Sequence, residues 1–147
     1  MKPSLKTLTL ATLLFATSLV GLTPVHAATT SYYNDCGAAS VVKPKSITEF
    51  CADAGAGVIN IKWSTWGTSS AKGTGTFYIN GCDPDCASGK ISQTKVNVLL
   101  SGLTKTHGKN YLMQVTVTPL KGKKFVWPPA MNSVPSKVTW VTDYWQG

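Results

Sequence analysis

Residues 47–90 alternate short apolar runs with clusters of Gly, Asp, Ser and Pro, and they contain three of the four cysteines. Alternation of apolar and polar residues between such turn-forming clusters is typical of β-strands. This stretch therefore predicts three strands whose turns are held by disulfides. After residue 27 the sequence shows no helical periodicity with capping residues, so the strands are not expected to alternate with helices.

The clearest strand covers residues 58–66, where Ile59, Ile61 and Trp63 share one face and polar residues share the other. We predict further strands over residues 46–51, 71–80, 91–100, 111–119 and 137–145, with a loop at residues 101–110. Gly73 and Gly75 stand where larger side chains would crowd a neighbouring strand. Short strands with turn signals at this spacing predict an all-β fold, a small antiparallel, immunoglobulin-like β-sandwich of about five to seven strands.

The N-terminus has the three parts of a secretory signal peptide. Lys2 and Lys6 form a positive region, residues 8–22 are uncharged and mostly apolar, and small residues precede a cleavage site after Ala27. We therefore predict a secreted, extracellular protein, either free or associated with the cell wall. Its single domain covers residues 28–147: an irregular segment (28–45), the core strands (46–120) and a proline-interrupted C-terminal segment (121–147).

The charge of the chain is strongly positive, and all of its 14 basic residues are lysines. Loss of Lys2 and Lys6 leaves 14 − 2 = 12 lysines against 6 acidic residues, a net charge of +6. A surface rich in lysine favours anionic polymers and surfaces as partners. The absence of arginine disfavours sequence-specific nucleic-acid recognition, which depends on bidentate guanidinium contacts.

Four cysteines in an exported chain predict two disulfides, formed among Cys36, Cys51, Cys82 and Cys86. Three pairings are open. Because longer closed loops restrict the unfolded chain more, we favour the two pairings that connect the first half to the Cys82-Asp83-Pro84-Asp85-Cys86 turn. One histidine remains after signal removal, so a zinc site would lack ligands. We predict no cofactor and no metal site.

The sequence does not nominate an active site. His107 is the only histidine after residue 27, and no Gly-x-Ser-x-Gly turn accompanies it. Asp83 and Asp85 flank a proline in a turn and lack the spacing of a calcium-binding loop. We therefore expect a protein that is not an enzyme.

Four motifs occur in order: Ile47-x-x-x-Cys51-x-Asp53, Trp63-x-x-Trp66-Gly67, Ala71-x-Gly73-x-Gly75 and Cys82-x-Pro84-x-Cys86-Ala87-x-Gly89. Together they resemble a family of small secreted actinobacterial proteins of unknown function, over residues 44–118. Glu49 departs from that pattern, which has an apolar strand residue there. The resemblance implies export, disulfides and a β domain, and it implies no catalytic residues.

These observations favour a secreted, non-enzymatic protein that binds a cell-envelope polymer or an extracellular protein. Aromatic side chains beside lysines suit glycans, and we predict Trp66, Tyr78 and Trp145, expected on outward faces, as ligand-binding residues. One alternative is an inhibitor of a protease or another hydrolase that acts through residues 101–110 or 128–135. A second alternative is a small hydrolase that uses His107.

Overall fold

The computed structural model describes residues 30–37, 40–129, 131 and 133–142, and these contain strands and no helix. The signal peptide predicted at residues 1–27 lies outside the described residues. Eight strands follow one another: β1 (Ser31–Asn34), β2 (Ser40–Val41), β3 (Ile47–Thr48), β4 (Ala56–Trp66), β5 (Ala71–Asn80), β6 (Ile91–Thr106), β7 (Lys109–Pro119) and β8 (Val138–Val141). The predicted all-β fold with two disulfides is confirmed.

All eight strands belong to one curled sheet. Seven of them follow the order β2-β1-β7-β6-β5-β4-β3, and β8 pairs with β7 outside this order. The long strands β4 to β7 are antiparallel neighbours. The same edge of β7 also pairs with β1, in parallel at Asn110 and Tyr111, and with β8, in antiparallel fashion from Gln114 to Val117. The predicted immunoglobulin-like sandwich is not confirmed. Alternation shows that one face is buried, but it does not show whether a second sheet or the curled sheet itself covers that face.

The core lies on the inner face of the curled sheet. It includes Val58 of β4, Phe77 of β5, Val98 of β6 and Val115 of β7, each at most 2% exposed. Phe125, from the segment after β7, meets the Phe77 ring edge-on with centroids 5.4 Å apart. The proline-interrupted segment thus contributes to the core although it forms no long strand.

The two ends of the sheet meet and are joined by a disulfide between Cys36, which follows β1, and Cys51, which follows β3. Close by, the backbone N–H of Thr48 donates to Asp35 Oδ1 at 3.0 Å. The second disulfide, Cys82–Cys86, lies within a single turn. The preferred pairings, which joined Cys36 and Cys51 to the Cys82–Cys86 turn, were therefore wrong. The curl of the sheet brings Cys36 to Cys51, and an argument from loop length does not include that curl.

Two bulges in β4 change the faces that alternation predicts. The register shifts between Ile59 and Lys62 and again between Trp63 and Thr65. Asn60, between the first pair, has a φ of 55°. As a result Val58 and Ile61 are both buried while Ile59 is only partly buried, so the prediction for Ile59 was wrong.

Other predicted boundaries also need correction. Residues 28–45, predicted to be irregular, include the short strands β1 and β2, and residues 46–51 provide only the two-residue strand β3. Residues 101–110 are not a loop but the end of a hairpin, in which β6 and β7 are joined by His107 and Gly108. The predicted crowding at Gly75 is confirmed, since a Cβ there would lie 2.7 Å from Val58 Cγ1.

Candidate functional site

The outer face of the curled sheet carries polar side chains in rows across the strands. One row consists of Lys62, Thr74, Asn97 and Thr118, which are successive partners on β4, β5, β6 and β7. Because directly paired residues point to the same side of a sheet, the row lines up hydroxyl, amide and ammonium groups. The outer face can therefore form hydrogen bonds to one ligand from four strands.

A depression of about 400 Å³ lies on this face. We call it the outer groove; it is lined by Ser64, Lys72, Gly73, Thr74, Asn97, Val98, Leu99, Thr116 and Thr118. Within it, Thr116 is hydrogen-bonded to Thr139 through their hydroxyls at 3.1 Å. The lining carries hydroxyl and amide groups on a surface that is largely apolar, and Lys72 supplies a positive charge.

A second depression, of about 440 Å³, lies where β7 ends. We call it the lysine groove; it is lined by residues 118–124 and 134–136. The turn is fixed by backbone hydrogen bonds from Leu120 N to Lys95 O at 3.2 Å and from Lys123 N to Leu120 O at 2.9 Å. Phe125, buried in the core, anchors the end of the turn. This turn carries three exposed lysines, Lys121, Lys123 and Lys124.

Thr118 lines both the outer groove and the lysine groove. The two depressions are therefore neighbours and together form one surface path from Lys72 to the lysine turn. The path crosses β5, β6 and β7. Neighbouring strands lie about 4.8 Å apart, so β5 and β7 are separated by ~10 Å.

None of the five described carboxylates lines either groove. Three of them accept backbone N–H bonds in loops: Asp35 from Thr48 at 3.0 Å, Asp53 from Gly55 at 2.9 Å and Asp85 from Ser88 at 2.8 Å. The bonds from Ser88 lower the pKa of Asp85. Since no described carboxylate lines either groove, the ionisable side chains of the described lining are lysines, which favour anionic ligands.

Trp66, predicted as an exposed ligand-binding residue, is half-buried and packs against the core. The second bulge of β4 turns its side chain inward, and its indole N–H donates to Ser31 O at 2.9 Å. Its ring meets Trp63 edge-on with centroids 4.9 Å apart. The predicted outward orientation of Trp66 was therefore wrong, and a binding role for it stays a prediction without geometric support.

Tyr78 lies against the backbone of Gly57, where a Cβ would be 3.1 Å from the Tyr78 hydroxyl oxygen. Burial raises the pKa of this phenol, and the charges of Asp35 and Asp53 raise it further. Trp145, the third predicted residue, lies outside the described residues. Neither Trp66 nor Tyr78 lines the path between the grooves.

The sequence-based prediction of ligand-binding residues named only aromatic side chains and included none of the residues that line the path. The available signal was the repetition of Thr, Asn and Lys on the polar faces of three adjacent strands, followed by a turn with three lysines. Sequence alone does not show that these faces and this turn share Thr118.

His107, the candidate hydrolase residue, lies at the tip of the β6–β7 hairpin, where its φ is 47°. Its Nδ1 is 3.3 Å from Thr106 Oγ1. Within residues 30–37, 40–129, 131 and 133–142, no three His, Cys, Asp or Glu side chains are grouped so that they could hold a metal ion.

The described part of the chain has no helix that could cross a membrane. Both disulfides fit folding in an oxidising compartment. Comparison with protein-family models, with curated proteins and with solved structures found nothing that matches this chain.

Proposed function

We propose that this is a secreted, non-enzymatic protein that binds an anionic polymer of the cell envelope along the path formed by the outer groove and the lysine groove. The observation that carries the proposal is the position of Thr118, which lines both depressions and so connects a hydroxyl-lined surface to three exposed lysines. The predicted signal peptide and the resemblance to small secreted proteins support the extracellular location in this proposal.

The chemistry of the path fits a polymer with anionic groups at intervals. Lysine ammonium groups attract phosphate, sulfate or carboxylate as point charges and impose little orientation. Hydroxyl and amide groups such as those of Thr74, Asn97 and Thr118 can donate to and accept from polymer hydroxyls. The described lining of the path contains no aromatic ring on which a sugar could stack, so we assign recognition to charge and hydrogen bonding.

The test compares two triple variants that remove the same charge. Lys121, Lys123 and Lys124 are changed to Gln in one, and Lys45, Lys90 and Lys105, exposed lysines that line neither groove, are changed to Gln in the other. Binding to purified wall material and to soluble polyphosphate is measured at several salt concentrations. We expect the first variant to lose about tenfold or more in affinity at low salt and the second about threefold or less.

Equal losses in the two variants would mean that net charge, not the path, determines binding. A Thr118→Val variant adds a test of the junction, because it keeps the shape and removes the hydroxyl. Unchanged affinity in this variant together with unchanged affinity in the first triple variant would refute the proposal.

The inhibitor alternative has one supporting observation. Leu100 is the last residue of β6 that pairs with β5, so residues 101–109 extend beyond β5 as a hairpin with exposed Leu103 and Lys105. A short, rigid hairpin is preorganised for insertion into a cleft. Inhibition of any hydrolase in a broad panel, lost on exchange of residues 104–109 for a Gly-Ser hairpin, would support this function instead.

A further inference from the structure

A separate pocket of about 280 Å³ lies where the two ends of the sheet meet. Its lining comes from the Cys36–Cys51 disulfide, from Thr48 at the end of β3 with Glu49, Phe50 and Ala52 after it, and from Val141 at the end of β8 with Thr142 after it. It shares no lining residue with the outer groove or the lysine groove. The anionic-polymer proposal therefore does not account for it.

The walls of this pocket are largely apolar. Phe50 is 52% exposed and Val141 is 63% exposed, and both are among the large hydrophobic side chains that the fold leaves in contact with water. The Cys36–Cys51 disulfide and the Ala52 methyl group add further apolar surface. An aliphatic ligand would bury this surface and gain the usual hydrophobic free energy.

Among the described residues of the lining, Glu49 provides the only ionisable side chain. Asp35, Asp53 and Asp85 accept backbone N–H groups, whereas the structure gives the Glu49 carboxylate no such partner among the described residues. Partial burial raises the pKa of Glu49, because loss of hydration disfavours the carboxylate form. A desolvated carboxylate beside an aromatic ring is a favourable place for a cation.

We infer that this pocket binds the side chain of a lysine presented by a polypeptide partner. The four methylene groups would lie along Phe50 and Val141, and the ammonium group would reach the Glu49 carboxylate. A volume of 280 Å³ exceeds the ~30 Å³ of a liquid water molecule severalfold, so the pocket has room for such a chain. Charge complementarity selects a basic partner at this pocket, in contrast to the acidic ligand of the outer face.

The test uses Nα-acetyl-lysine methylamide as the probe and Nα-acetyl-norleucine methylamide, which lacks the amine, as its matched control. Both are titrated into the protein while amide shifts are followed by NMR. We expect saturable shifts at residues 48–52 and 141–142 with the lysine probe, and an affinity about tenfold or more weaker for the norleucine probe. We also expect the probe to lower the pKa of Glu49, read from its side-chain carboxyl shift, because a bound ammonium favours the anion.

Two variants test the roles of the Glu49 carboxylate and the Phe50 ring in binding the lysine probe. Glu49→Gln should weaken binding about tenfold or more, and Phe50→Ser should weaken it several-fold. Asp83→Asn removes a carboxylate that lies outside this pocket and should leave the affinity unchanged. Equal binding of the norleucine probe, an unchanged affinity in Glu49→Gln, or shifts confined to residues elsewhere would each overturn the inference.

Discussion

The indole N–H of Trp66 donates to the backbone carbonyl of Ser31 at 2.9 Å, and this bond connects β4 to β1 across the closed sheet. Ser31 in turn donates its hydroxyl to the backbone carbonyl of Thr68, in the turn that follows β4. The two strands are not paired neighbours in the sheet. Side chains therefore hold together parts of the sheet that no backbone ladder joins.

Loss of the Trp66 bond should lower the free energy of unfolding. We expect Trp66→Phe, which keeps a ring and removes the donor, to cost about 1–2 kcal/mol, because Ser31 O then loses its partner inside the fold. Urea unfolding followed by fluorescence measures this. Trp127→Phe is the control, since Trp127 also packs against the core but stacks on Phe77. A larger loss in the control would show that ring size, not the bond, matters at Trp66.

The two disulfides should differ in their contribution to stability. Cys36–Cys51 closes a separation of 15 residues and Cys82–Cys86 one of 4. In the chain-entropy account the double substitution to Ser should cost about 3 kcal/mol at the first and about 2 kcal/mol at the second. Because Cys36–Cys51 also joins the ends of the sheet, we expect the real difference to be larger. Equal denaturation midpoints of the two double variants would contradict this.

Gly73→Ala should destabilise the paired strands β4 and β5. A Cβ at Gly73 would lie 2.6 Å from Lys62 O, a backbone atom that cannot move aside easily. We expect a loss of about 1–3 kcal/mol in the free energy of unfolding. Gly55→Ala is the comparison, because its Cβ would meet the side-chain carboxylate of Asp53 at 3.2 Å, and an exposed side chain can shift more easily than a backbone atom. Similar thermal midpoints for the two variants would refute the steric explanation.

The stability of the fold should depend on pH through Glu49. Burial raises the native-state pKa of Glu49 above the ordinary value of 4.5. Between that value and the raised pKa the native state keeps a proton that the unfolded chain has lost, so the contribution of Glu49 to stability falls as pH rises. We expect Glu49→Gln to gain stability relative to the natural chain as pH rises from about 4 to 8. Urea unfolding at several pH values measures the difference, and a difference that is independent of pH would contradict the prediction.

The four long strands could be predicted because each has one buried and one wet face. In β6, for example, Val96, Val98 and Leu100 are buried and Lys95 and Asn97 are exposed, as alternation requires. Such patterns depend on neighbouring residues only, and sequence shows them directly.

The closure of the sheet could not be predicted, since it depends on contacts between distant parts of the chain. The parallel pairing of Tyr32 with Tyr111 joins residues 79 positions apart, and nothing in either residue indicates the partner. The bulge at Asn60 could not be predicted either. Asparagine tolerates positive φ better than most residues, but the sequence does not show that one is required there.

The grooves lie at other residues than those predicted to bind a ligand. Lysine content indicated an anionic ligand, and the aromatic residues were expected to bind it. The bulge between Trp63 and Thr65 instead turns Trp66 into the fold, and the grooves are lined by Thr118 and by lysines of a turn.

The strands at the ends of the sheet order, β2 and β3, contain two residues each, and β8 contains four. Unpaired strand edges act as templates on which other chains can add strands and aggregate, and their capacity grows with length. Strand β5 is paired on both sides, with β4 and with β6, whereas among the described residues β4 pairs with β3 only at Gly57 and Val58. The two-residue strands at the ends of the order therefore offer little backbone to an added strand, and residues 62–66 of β4 are the longer edge on which another chain could extend the sheet.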